Sequence, residues 1–270
     1  MTTATATQTV TSADGTKIAY QKAGSGPALL VVDGAMCYRA FGPAAGLAKE
    51  LQDKFTVYTY DRRGRGESGD TKPYSVQREI EDIAALIEAA GGSVNVFAMS
   101  SGAALSLEAA NKLDGIKKLA IYEAPFIVDD THPPRVGFQE TLDAHIARDD
   151  RSGALKYFMK TVGAPSIMVA IMSLTPPWKK LKGVAHTLPY DARILGDRGL
   201  GNPLPANAWP GAKMPVLAFI GGKSPKMMHN AQQAVVDQLP DASLVELPGQ
   251  THMVKAPVVA PHLIEFYGVV

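Results

Sequence analysis

Ser100 closes a short apolar run, Val94-Asn95-Val96-Phe97-Ala98-Met99, and opens a stretch of helix formers, Ala103-Ala104-Leu105-Ser106-Leu107-Glu108-Ala109-Ala110. A strand that turns at once into a helix lifts the residue at the turn out of regular pairing and exposes its side chain. The usual spelling of a serine presented this way is Gly-x-Ser-x-Gly. Here it reads Ala98-Met99-Ser100-Ser101-Gly102, with alanine in the first glycine place. A serine hydroxyl attacks carbon only when a base takes its proton. Histidine is the usual base, because its unperturbed pKa is about 6.5.

Of the six histidines, His132, His145 and His186 fall between 126 and 210, and His229 and His262 fall within expected helices. His252, in Gly249-Gln250-Thr251-His252, stands on a loop after the last expected strand, free to reach inward. In the chain order serine, acid, histidine, the acid follows the strand near 214–222. That turn reads Gly221-Gly222-Lys223-Ser224-Pro225, so a neutral serine holds the acid's place. An uncharged partner for the histidine can cost about four orders of magnitude in rate. Glu123 supplies a carboxylate instead, from the end of the strand that follows the nucleophile's helix. Asp33 is the rival acid, with the more fitting role of holding its own loop through backbone N–H groups. Negative charge on a tetrahedral intermediate needs N–H donors already aimed at it. Ser101 offers one, and Gly34 or Ala35 the other.

The elements that must position these residues alternate. Asp14-Gly15 between two extended runs signals a hairpin. Ala28-Leu29-Leu30-Val31-Val32 is an apolar run, as in a strand buried on both faces. A helix over Ala44–Leu51, a strand over 55–60 and an amphipathic helix over 75–90 follow, then the Ser100 strand, its helix and a strand over 117–122. Alternation is lost over 126–210, which reads as helices at 135–147, 153–162, 166–173 and 179–187. It resumes with a strand near 214–222, a helix over 227–238, a strand over Ala242–Leu247 and a helix over 257–267. Such a chain folds as a mostly parallel sheet with helices on both faces. Ligands bind such sheets at the carboxyl ends of the strands. Ser100, Asp33-Gly34, Glu123, Gly222 and His252 each follow an expected strand.

On these residues the chain resembles the α/β-hydrolase superfamily over nearly its full length. Val32-Asp33-Gly34, Ser100-Ser101-Gly102-Ala103 and Glu123-Ala124-Pro125 look like the matching segments of the zearalenone lactonase family. The resemblance implies an α/β-hydrolase fold, a mostly parallel sheet flanked by helices with a helical cap inserted after the sixth strand. It implies Ser100 as nucleophile, Glu123 as acid, His252 as base, and Gly34 and Ser101 as oxyanion donors. Ala98 and Tyr122 depart from the family's pattern, and the insertion does not match residue by residue. The resemblance therefore bears on mechanism and not on a mycotoxin substrate.

Composition narrows the rest. The 270 residues are 46% hydrophobic and 20% charged, with a net charge of +1. That is an ordinary globular balance, with no basic excess for nucleic acid or an acidic membrane. The expected division is a core over 1–125 and 211–270 and a cap over 126–210. The single cysteine, Cys37, excludes an internal disulfide and fits a reducing compartment; it is expected to be a small buried hydrophobe. No Cys/His spacing suggests a metal, and no cofactor is expected. Asp61-Arg62-Arg63-Gly64-Arg65-Gly66-Glu67-Ser68 matches neither nucleotide fingerprint and reads as a solvated structural loop. Residues 1–8 lack a leader's pattern and no apolar run spans a bilayer, so the expected location is the cytoplasm. Trp178, Met159 and Met172, with Phe158, Met168 and Leu181, are the candidates to line an apolar substrate pocket. The expected function is hydrolysis of a small apolar ester or lactone through an acyl-enzyme. A non-hydrolytic ligand-binding or receptor protein on the same fold, and a C–C hydrolase or lyase, are the alternatives. Oligomeric state is not fixed by the sequence.

Overall fold

The computed structural model describes residues 6–269, so part of the 1–8 segment lies outside them. Eight strands form one sheet: β1 (Gln8–Thr11), β2 (Lys17–Ala23), β3 (Ala28–Val32), β4 (Thr56–Tyr60), β5 (Val94–Met99), β6 (Ile116–Tyr122), β7 (Val216–Gly221) and β8 (Ala242–Leu247). Their spatial order is β1-β2-β4-β3-β5-β6-β7-β8. β1 and β2 pair antiparallel, as does β2 with β4, and every later pairing is parallel. The hairpin turn forms where Asp14 and Gly15 mark it, with Asp14 Oδ1 accepting from Thr16 N at 3.0 Å.

Helices cover both faces, because successive side chains of each strand point to opposite sides. Val94, Val96 and Ala98 of β5 join Ile80 and Ile83 of α2 (Val76–Ala89) and Leu107 of α3 (Ser101–Ala110). Phe97 and Met99 join Leu47 and Leu51 of α1 (Ala44–Leu51), and Val259 and Leu263 of α10 (Ala256–Tyr267). α9 (Lys226–Asp237) links β7 to β8. Every residue of β5 is buried. Burying both faces of the central strand stabilises the fold at roughly 25 cal/mol per Å² of apolar surface removed from water.

Between β6 and β7 the chain makes a helical excursion: α4 (Phe138–Ala147), α5 (Arg151–Thr161), α6 (Ser166–Met172), α7 (Pro176–Val184) and α8 (Leu188–Leu195), with short 3₁₀ turns at 185–187 and 196–199. α4 starts later than the expected 135, after Gly137 in the left-handed conformation. α8 is not foreseen by the sequence reading, which stops at 187 before Pro189. In the structure that proline sits in the first turn, where its missing N–H costs nothing. The excursion leaves and returns at one point: Phe126 and Trp209 stack at 6.0 Å, and Trp209 Nε1 donates to Glu108 Oε1 of α3 at 2.9 Å.

The arginine loop after β4 corrects the expectation of a solvated loop. Arg62, Arg63 and Arg65 are fully buried. Arg62 pairs with Glu79 at 2.7 Å and Asp191 at 2.9 Å, Arg63 with Asp82 at 2.7 Å and Asp14 at 2.9 Å, and Arg65 with Asp191 at 2.8 Å. Buried guanidinium groups persist because each planar fork finds carboxylates at good geometry.

Candidate active site

Ser100 sits between β5 and α3 with φ 55° and ψ −127°, a region L-residues seldom adopt. Its N–H donates to Tyr122 O at 2.9 Å, which ties the turn to β6. The turn survives because its neighbours are small. A Cβ on Gly102 would lie 2.4 Å from Val32 O, and one on Gly34 would lie 2.8 Å from Ser100 Cβ. Ala98 fills the first glycine place without exposure to solvent. The loop after β3 therefore runs directly against Ser100.

Glu123 follows β6, also at positive φ (49°), and is fully buried. Its Oε1 accepts from Gly221 N at 2.8 Å and from Ser224 Oγ at 2.5 Å. Its Oε2 lies 2.7 Å from His252 Nδ1. Burial works to raise the carboxyl pKa, but the hydrogen bonds from His252, Ser224 and Gly221 prevail and hold it below its ordinary value. An ionised Glu123 takes the proton on Nδ1 as its donor and leaves Nε2 as the acceptor. That nitrogen lies 3.2 Å from Ser100 Oγ. The serine, the imidazole and the carboxylate thus form one chain of contacts. The arrangement can move a proton from Ser100 to His252 while Glu123 steadies the positive ring.

Two features of the histidine loop were not anticipated. Tyr122 Oη donates to Thr251 O at 2.6 Å, next to His252, and Lys223 N donates to Gln250 O at 2.9 Å. The residue that departs from the resembled family's pattern before Glu123 therefore anchors the loop of His252. Ser224 occupies the aspartate's usual place and donates to the glutamate. No sequence signal marks that role, because the two residues lie 101 positions apart.

Asp33 contacts neither histidine ring nitrogen, and its two carboxylate oxygens are buried without a hydrogen-bond partner among the described residues. This corrects the expectation that it holds its loop through backbone N–H groups. Burial pushes its pKa up to about 7, against the pull of Arg65 and Arg62. Cys37 is half-buried, and burial, with Asp33 nearby, pushes its thiol up to about 12. It is a poor nucleophile there.

Of the other candidates, Ser101 is buried as the first residue of α3. A first-turn N–H has no carbonyl partner within its own helix. The Ala35 N–H also makes no hydrogen bond among the described residues. Trp178 and Met159 are buried in the apolar cluster of the excursion, and Met172 packs against it half-buried. Trp178 Nε1 donates to Ser152 Oγ at 3.1 Å, so its polar edge is satisfied within the excursion. Ala35, Met36 and Phe41 of the loop after β3 join this cluster, while Met168 is exposed. Among the described residues no helix is long and apolar enough to cross a membrane.

Residues 26–264 match the model of the alpha/beta hydrolase family. An alpha/beta hydrolase from Sphaerobacter thermophilus is 46% identical, with a TM-score of 0.88 over 96% of this chain and 100% of that one. An enol-lactonase from Burkholderia xenovorans is 18% identical, with a TM-score of 0.70 over 97% and 100% of the two chains. An epoxide hydrolase from Vigna radiata is 20% identical, with a TM-score of 0.69 over 98% of each. At those lower identities the likeness is one of fold, and the fold carries more than one chemistry.

Proposed function

The chain belongs to the alpha/beta hydrolase family, and on that premise we propose that it is a serine hydrolase that cleaves a carboxylic ester or lactone through an acyl-enzyme. The single observation that carries the reading is the contact chain Ser100 Oγ–His252 Nε2 at 3.2 Å and His252 Nδ1–Glu123 Oε2 at 2.7 Å. Ser100 attacks the carbonyl carbon as His252 takes its proton. The N–H groups of Ser101 and of the Gly34–Ala35 segment receive the oxyanion charge. Collapse of the intermediate expels the alcohol, which takes its proton from His252, and water repeats the sequence on the acyl-enzyme.

A hydroxyl nucleophile favours this over epoxide opening through a carboxylate nucleophile, since Ser100 stands at the strand-to-helix turn. The three segments that look like the zearalenone lactonase family support the same mechanism and leave the substrate open. The excursion over 126–210 acts as a cap in this reading, and its cluster with Trp178, Met159 and Met172 supports a small apolar substrate. A neutral Ser224 in the acid's place favours a non-hydrolytic ligand-binding protein; Glu123 Oε2 at 2.7 Å from His252 Nδ1 supports the hydrolytic reading instead.

A fluorophosphonate probe tests the proposal. The wild type is expected to label, and Ser100→Ala and His252→Ala are not. Glu123→Gln is expected to lower kcat on p-nitrophenyl acetate by about 10³–10⁴-fold. Its amide would face Nδ1 with an N–H and force the proton onto Nε2. Ser224→Ala, which leaves the carboxylate in place, is expected to cost far less. A wild type that does not label, or a Glu123→Gln as active as wild type, sinks the assignment.

A further inference from the structure

We infer that Arg65, Arg62 and Asp191 form a buried positioning unit that holds both oxyanion donors from behind, and that the second donor is the Ala35 N–H. The inference rests on the serine-hydrolase reading and extends it to residues outside the triad.

Arg65 Nη1 donates to Gly34 O at 2.7 Å. In a planar trans peptide the C=O and N–H of one unit point in opposite directions. Gripping Gly34 O therefore turns the Ala35 N–H away from Arg65; the Gly34 and Ala35 N–H groups are both without a hydrogen bond among the described residues, so the choice between them rests on how firmly each peptide is held. Arg62 Nη1 meets Asp33 O at the longer distance of 3.4 Å, so the preceding peptide is held less firmly. The stronger contact selects Ala35 over Gly34. Gly34 serves by lacking a Cβ, which would lie 2.8 Å from Ser100 Cβ.

The other donor is tied to the same unit. Ser101 Oγ donates to Asp191 Oδ1 at 2.7 Å and accepts from Arg62 Nη1 at 3.3 Å. Asp191 Oδ1 also accepts from Arg62 Nη1 and from Arg65 Nη2, each at 2.9 Å, and its Oδ2 from Arg65 Nη2 at 2.8 Å. Arg62 is braced on its far side by Glu79, through Nε at 2.7 Å and Nη2 at 2.8 Å. One carboxylate from α8 thus fixes two arginines and one serine. These in turn fix the loop after β3 and the first turn of α3. The two N–H groups that must point at one oxygen come from different parts of the chain, and Asp191 is the atom group they share.

The unit does not touch Ser100 or His252, so its members are positioning residues. Donors held in advance stabilise the tetrahedral state more than the bound ester, because the charge develops only there. Loosening them should lower kcat and leave KM nearly unchanged.

The test compares wild type with Ser101→Ala, Arg65→Lys and Asp191→Asn. Ser101→Ala keeps the backbone donor and removes only its tether. Arg65→Lys keeps the charge and loses the planar fork that spans Asp191 and Gly34 O. These two remain readable if Asp191→Asn fails to fold. Kinetics on p-nitrophenyl acetate are expected to show kcat lowered roughly 10- to 100-fold with KM nearly unchanged. Affinity for an alkyl trifluoromethyl ketone, which forms a tetrahedral adduct on Ser100, should weaken by the same factor. Wild-type kcat and ketone affinity in Ser101→Ala and Arg65→Lys, with only Tm lowered, would make the cluster a plain brace and overturn the inference. A wild type that does not react with a fluorophosphonate overturns the hydrolase reading itself, and the positioning role with it.

Discussion

The Glu123 carboxylate accepts three hydrogen bonds while wholly enclosed, and the Asp33 carboxyl, equally enclosed, accepts none among the described residues. The two carboxyls therefore titrate in opposite senses. Asp33 has an ordinary value of 3.8 and a folded value raised to about 7. Below both values the folded and unfolded chains both hold its proton. Between them only the folded chain does, so stability falls as pH rises from about 4 to about 7 and then levels off. Asp33→Asn cannot ionise and escapes this loss. Its Tm is expected to match wild type near pH 4 and to exceed it by several degrees above pH 7, an effect of a few kcal/mol. Thermal melts of both proteins across that range check it; a difference that does not vary with pH would refute it. At this scale the sequence singles out Ser100, Glu123 and His252, because each follows an expected strand, and the three side chains lie in contact in the structure. The sequence shows Ser224 as a missing acid and cannot show a donor, since that depends on where Glu123 points. The arginines read as solvated in the sequence, and are buried in the structure, for a related reason. Their partners Glu79, Asp82 and Asp191 lie 17, 19 and 126–129 positions away, and charge alone says nothing of such pairing.

The strands were legible as elements because the parallel ones are continuous apolar runs, and their carboxyl ends carry the candidate residues. α8 was not, because proline reads as a break unless its place in a first turn is known. The turn from β5 into α3 depends on closeness that sequence spacing only hints at. Gly102 is the residue where α3 passes β3. A Cβ there would lie 2.4 Å from Val32 O and 2.6 Å from Asp33 O, both backbone atoms that cannot rotate aside. Gly102→Ala is expected to push the start of α3 off the sheet and to destabilise the protein by about 1–3 kcal/mol. It should also slow fluorophosphonate labelling, because Ser100 precedes the displaced turn. Urea unfolding and labelling rates measure the two effects together. A variant with wild-type values in both would show that the helix has room to move.

At the level of the whole molecule, two apolar clusters lie on opposite faces of the sheet and a third fills the helical excursion. Trp209 belongs to the first of them although it closes the excursion, and it is almost fully buried. Trp209→Ala removes its stack on Phe126 and its bond to Glu108, and leaves a large void. A loss of about 3–5 kcal/mol is expected from urea unfolding; a loss below about 1 kcal/mol would mean that the surrounding helices collapse into the space. The meeting of Phe126 and Trp209 has a further consequence, in terms of inheritance. A segment whose two ends touch can be exchanged between lineages, or by a protein engineer, as a single cassette, without moving the strands on either side. A donor cassette must bring what the recipient's scaffold already meets: an aromatic at each end, an acid for Arg62 and Arg65 in the place of Asp191, a hydroxyl for Arg65 in the place of Thr187, and a ring in the place of Tyr190 to stack on Tyr74 and bond Asp70.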